Sequence, residues 1–121
     1  MHYASNAYAK VAKEVAAPRE LEATLLLKAA AKLQAVLDSW RDKPVGLHDA
    51  LTYNRRLWSV LIDAVQHEGN RLPIAVRDNL TKLGAFVMGE TFALMTKPRP
   101  DHLRSIININ RGIAAGLARK N

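Results

Sequence analysis

The sequence predicts an all-α fold: an antiparallel bundle of four main helices plus a short N-terminal helix, in one domain spanning residues 1–121. Three observations predict it. Apolar residues recur three and four positions apart along most of the chain, the period of a helix with one buried face. Strand signals are nearly absent, with no long apolar–polar alternation and no hairpin dipeptide between β-branched runs. Pro and Gly fall at points that divide the chain into helix-length segments joined by short loops, the pattern of an antiparallel bundle.

The elements follow in order. A short first helix is expected over about residues 3–16, with Ala4, Tyr8, Val11 and Val15 on one face. "AAPRELE" is read as its end, with Pro18 in the first turn of the second helix and Glu20 and Glu22 where the helix dipole favours anions. The second helix runs to about Trp40. Its Leu26, Ala30, Leu33, Leu37 and Trp40 repeat at a 4-3-4-3 spacing, with Leu21 and Leu25 widening the stripe. The third helix lies within "ALTYNRRLWSVLIDAVQHEGNRLP", and Gly69 and Asn70 are its stop residues. The fourth runs from Pro73 to about Met95, with Val76, Leu80, Leu83, Val87 and Leu94 inward and Phe86, Met88, Phe92 and Met95 flanking. Pro98 and Pro100 end it, and Asp101 is a candidate cap for the last helix, which reaches Ala118 with Leu103, Ile106, Ile113 and Leu117 inward.

Two residues break this pattern. Asn54 falls within the apolar face formed by Leu47, Ala50, Leu51, Leu57, Trp58, Leu61, Ala64 and Val65, and Asn110 falls within that of the last helix. Each is followed by Arg, namely Arg55 with Arg56, and Arg111. A buried amide carries donors and an acceptor that must all be satisfied. The preferred reading is therefore structural, with Asn54 and Asn110 as a polar pair in the core that fixes helix register at some cost in stability. The alternative is a polar floor for a partner's peptide group. Arg55, Arg56 and Arg111 rotate toward the seam edge or solvent. Exposed together, they would form a patch for an acidic partner.

Composition narrows the function. A chain of 121 residues with 49% hydrophobic residues can bury a core without a staple. It has no Cys, hence no disulfide or thiolate chemistry. The four His residues are scattered; "HEGNR" begins like a zinc-protease motif but has Arg71 in place of the second His. No nucleophile elbow, phosphate-binding glycine loop or dinucleotide fingerprint occurs. No catalytic residue, cofactor or metal is expected. The most apolar window, "LGAFVMGETFALMT", is too short and too polar to cross a bilayer, so no membrane insertion is expected, and a cytoplasmic location fits the lack of Cys.

The net charge of +7 is concentrated at the C-terminus, where Lys97, Arg99, Arg104, Arg111, Arg119 and Lys120 face Asp101 alone. A basic end favours acidic partners, yet "RPDHLRSIININRG" lacks a dense basic face, so direct RNA binding is the weaker reading. Gly84 and Gly89 in the fourth helix, and Gly112 and Gly116 in the fifth, each cost about 1 kcal/mol relative to Ala. Close helix approach through Gly112, Ala115 and Gly116 is the commoner explanation. Met88 and Met95 supply adaptable apolar surface of the kind that binding grooves use, and with Phe92 they are candidate partner-binding residues.

"PRELEATLLLKAAAKL", "ALTYNRRLWSVLIDAV", "GNRLPIAVRDNLTKLGAFV" and "IININRGIAAGL" resemble, in order, the FlaF family of alphaproteobacterial flagellar biosynthesis regulators, from about Tyr3 to Leu117. The most specific piece is Asn54-Arg55-Arg56-Leu57-Trp58, supported by Asn70 with Leu72-Pro73 and by Ile109-Asn110-Arg111. The resemblance implies a small cytoplasmic helical protein of filament assembly. It implies a secretion chaperone for flagellin that works alongside FlbT, a regulator acting on flagellin messenger RNA. The expected function is therefore a non-catalytic flagellin-binding export chaperone and regulator of flagellin synthesis, with a monomer as the favoured state. The alternative is a post-transcriptional regulator acting through FlbT or directly on RNA.

Overall fold

The structure, a computed structural model, describes residues 2–41, 44–67, 69 and 72–118, with side chains described from Arg19 onward within those ranges. It contains four helices, α1 (His2–Asp38), α2 (Leu47–Gln66), α3 (Ile74–Thr96) and α4 (Pro100–Ala118), and no strand among the described residues. Each helix packs on its neighbours in the order α1–α2–α3–α4–α1, and α1 with α4 is the most extensive pairing. Among the described residues, no close backbone approach joins the diagonal pairs, α1 with α3 or α2 with α4. The helices thus form a closed ring of four around one core.

Sequential neighbours run antiparallel. Along α1 and α2, Val36 lies beside Gly46 at the start of α2, while Lys32 lies over the Tyr53 ring further along. Along α2 and α3, Arg77 donates from Nε to the Val65 carbonyl, and Gly84 packs on Ile62 and Trp58, earlier in α2. The three-residue link Lys97–Arg99 reverses the chain between α3 and α4. Gly46, with φ of +82°, makes the tight entry to α2. That left-handed conformation is open to Gly at little cost and strained for other residues.

The N-terminal segment differs from expectation. α1 is unbroken at Pro18, so a short leading helix is not set off as a separate element. Pro18 is surrounded by strong helix formers, Glu14, Ala16, Ala17, Glu20, Leu21, Glu22 and Ala23, whose summed propensity favours continuation. Glu20 and Glu22 consequently sit deep within α1, not in a first turn. The face expected for Ala4, Tyr8, Val11 and Val15, and the stop residue Asn70, lie outside the described side chains.

The core is built from Ala23, Leu26, Ala30, Leu33 and Val36 of α1, with Leu51, Trp58, Leu61 and Val65 of α2. Leu80, Val87 and Leu94 of α3 and Leu103, Ile106, Ile107, Ala114 and Leu117 of α4 complete it. Leu37, Trp40, Leu57, Leu83 and Ile113 are half-buried against it, while Leu21 and Val76 are exposed. The buried line of α3 is Leu80, Gly84, Val87, Thr91 and Leu94, again a 4-3-4-3 repeat. It passes through Gly84 and Thr91 instead of Leu83 and Val76; at Gly84, Ile62 and Trp58 of α2 fill the space a larger side chain would need. Asp101 lies inside the first turn of α4, where it pairs with Arg104 at 2.8 Å instead of capping.

Candidate functional site

Both interrupting amides are fully buried. Asn110 Nδ2 donates to Asn54 Oδ1 at 2.7 Å and, at 3.4 Å, to the Leu26 carbonyl. Asn110 Oδ1 accepts from the Trp58 indole nitrogen at 2.9 Å. Asn54 and Trp58 are one helical turn apart on α2, so both reach the same side chain of α4 across the diagonal of the ring. With the Leu26 carbonyl, the contact ties three of the four helices together at one point.

The arrangement is asymmetric. Every polar atom of the Asn110 side chain has a partner, whereas Asn54 Nδ2 has none. A buried donor without an acceptor costs about 1–3 kcal/mol. The same Asn places its oxygen where only an acceptor will serve, against Asn110 Nδ2. In the hydrocarbon core around Leu26, Leu61 and Ile106, this geometry holds helices in register; it presents no nucleophile beside a base and no pair of carboxylates. Among the described residues, no group of His, Asp and Glu is placed to hold a metal ion.

The surface candidates separate into different faces. Arg56 lines a cleft between α1 and α2. Arg111 sits over the α1–α4 seam, donating to Gln34 Oε1 at 3.2 Å. Arg55, Arg56 and Arg111 are all exposed, but Arg56 and Arg111 lie on opposite flanks of α1, so the three form no single patch. Phe92 is 73% exposed and Met95 57%, while Met88 is half-buried against the core. Phe86 joins them on the outward face of α3, and the exposed Gly89 lies between. From Ala85 onward α3 is therefore largely apolar on its outer as well as its inner side. A helix of that kind is normally enclosed on all sides.

The glycines also sort differently. Gly84 is the one of close approach: a Cβ there would lie 2.7 Å from Ile62 Cγ1. Gly89, Gly112 and Gly116 are exposed, and a Cβ on any of them would meet nothing within 4 Å. Close packing through Gly112, Ala115 and Gly116 is thus not what these residues serve; all three face outward.

Several contacts were not evident from spacing alone. Trp58 serves as a hydrogen-bond donor as well as core; its i+4 offset from Asn54 was the available signal. Tyr53 carries the Lys28 and Lys32 ammonium groups over its ring, at 5.9 and 5.0 Å from the centroid. His102 Nδ1 and Glu90 Oε2, 2.6 Å apart, join α3 to α4 along the least extensive of the four seams. Burial pushes the Glu22 carboxyl above its ordinary pKa, an effect opposed by the Arg19 guanidinium.

Residues 4–117 match the family model described as flagellar protein FlaF. No curated protein and no solved structure matches the chain. No helix among the described residues is long and apolar enough to cross a membrane.

Proposed function

The chain belongs to the FlaF family of flagellar proteins, and we propose that its flagellar role is to hold flagellin subunits as a non-catalytic export chaperone. The observation carrying this reading is the outward face of α3. Phe86, Phe92 and Met95 project from a helix whose other face already fills the core. Monomeric proteins rarely leave such apolar surface uncovered without a partner for it. An amphipathic helix is a fitting occupant, because apolar anchors at helical spacing are met by a surface of the same period. The Met residues adapt to more than one anchor shape. In this reading the protein acts in the cytoplasm, as a monomer, alongside FlbT.

The test is co-purification. Tagged protein should retain flagellin, whole or as terminal fragments, and Phe92→Glu with Met95→Glu should lose it without loss of fold. Failure of the parent protein to retain flagellin sinks the reading.

Regulation of flagellin messenger RNA by direct contact has less support. In the described part of α4, Arg104 is paired with Asp101 and Arg111 with Gln34. Titration with the messenger leader at rising salt separates the two readings, since direct RNA binding must weaken steeply as counterions are released.

A further inference from the structure

A second surface lies between α1 and α2, away from the outward face of α3. A cleft of about 560 Å³ is floored by Leu25 and Leu57 and walled by Val60 and Tyr53, with Arg56 and Asp49 at its edges. Val60 is 67% exposed although it belongs to this apolar wall. The α2 residues that line it, from Asp49 to Val60, recur at helical spacing over three turns, a length of about 16 Å.

The mouth of the cleft is positive. Lys28 and Lys32 lie over the Tyr53 ring, and Arg56 stands one turn further along α2. The ring face attracts both ammonium groups toward the cleft. The lone acid of the lining, Asp49, sits in the first turn of α2, where the helix N-terminus already offsets its charge. The site therefore joins a strip of apolar floor to a row of cations.

We propose that this cleft binds an acidic amphipathic helix of a second protein. Large apolar side chains, spaced one turn apart, would lie on Leu25, Leu57 and Val60, with carboxylates on both sides meeting Lys28, Lys32 and Arg56. Charge complementarity selects this occupant over a basic segment, and the three-turn length selects a helix over a single side chain. The chain itself is basic, so a second copy is a poor fit. The cleft lies on the α1–α2 seam, whereas the apolar face lies on α3, the next helix of the ring. This inference is independent of the flagellin reading.

The experiment uses the full chain and a fluorescein-labelled helical peptide of Leu at i, i+4 and i+7 flanked by Glu, followed by anisotropy. Replacing the Glu residues with Lys should weaken binding about tenfold or more, since several exposed ion pairs, each weak alone, are lost together. Replacing the Leu residues with Ala should abolish it. Val60→Asp and the pair Lys32→Glu, Arg56→Glu should lose the peptide while melting like the parent. Phe92→Glu should keep it. Equal binding of the Glu and Lys peptides overturns the proposal, as does loss of binding in Phe92→Glu, which would place the peptide on α3. Sedimentation showing a dimer that Val60→Asp dissolves would assign the cleft to a second copy. Binding of an oligouridylate but not of the peptide would assign it to RNA. Either result also overturns the proposal.

Discussion

Trp58 and Asn110 stand on helices that share no backbone contact, yet the indole nitrogen of one donates to the amide oxygen of the other over 2.9 Å. Asn54 meets the same amide from its other end at 2.7 Å. The two amides are not equivalent, and their replacement should show it. Asn110→Leu strands the Trp58 N–H and the Asn54 carbonyl in the core and should cost roughly 3–4 kcal/mol. Asn54→Leu also removes a donor that has no partner, so it should cost only about 1–2 kcal/mol. The double variant should lose less than the sum, because neighbours in one network do not add. Urea unfolding of the three variants measures all of this, and equal losses for the two single changes would refute the asymmetry.

The glycines give a second contrast. Gly89→Ala, Gly112→Ala and Gly116→Ala add a methyl group that meets nothing within 4 Å, and each should stabilise by up to about 1 kcal/mol. Gly84→Ala drives a methyl into Ile62 and should destabilise by about 1–3 kcal/mol, partly recovered by Ile62→Val. Thermal melts decide, and stabilisation by Gly84→Ala would contradict the packing.

Glu22 supplies the pH dependence. Its pKa is raised in the fold by burial, against the lowering effect of Arg19. A carboxyl whose folded pKa is raised binds its proton more tightly in the native state than in the unfolded chain. Its contribution is therefore fully present below the ordinary carboxylate pKa of 4.5 and is lost as pH rises through the folded value. Glu22→Gln should raise the melting temperature at pH 7, and the gain should vanish as pH falls below that range. A gain that persists in acid would show that charge is not its cause.

The outward face of α3 should tolerate charge. Phe92→Glu and Met95→Glu remove side chains that are mostly in solvent, so each should change stability by less than about 0.5 kcal/mol. Retention of flagellin in pull-downs should fall sharply. Loss of fold in either variant would mean that the face is enclosed by the protein itself.

Much of this was legible from spacing. Leu26, Ala30 and Leu33 repeat cleanly, and Asn54 and Asn110 stand out because each interrupts an otherwise apolar stripe. α3 was harder to read. With apolar residues on every side, its period points nowhere, and the large residues Phe86 and Phe92 drew attention from the buried Gly84 and Thr91. The volume of Ile62 and Trp58 on the facing helix explains why a glycine belongs at position 84. Pro18 misled for a related reason: a local breaker signal was outweighed by the helix formers around it. The grouping of Lys28, Lys32, Tyr53 and Arg56 depends on how two helices turn toward each other, which no single-helix pattern contains.

The indole of Trp58 gives the molecule a built-in gauge. The chain has two tryptophans, and Trp40 is half-buried near the end of α1, whereas Trp58 is sealed in the centre and bonded through its nitrogen. Emission recorded in a Trp40→Phe background would report on that central bond alone. An occupant that merely rests on the outside should leave the colour of that light unchanged. One that levers the helices apart should shift it to the red as water reaches the ring, so a single cuvette can tell cradling from prying.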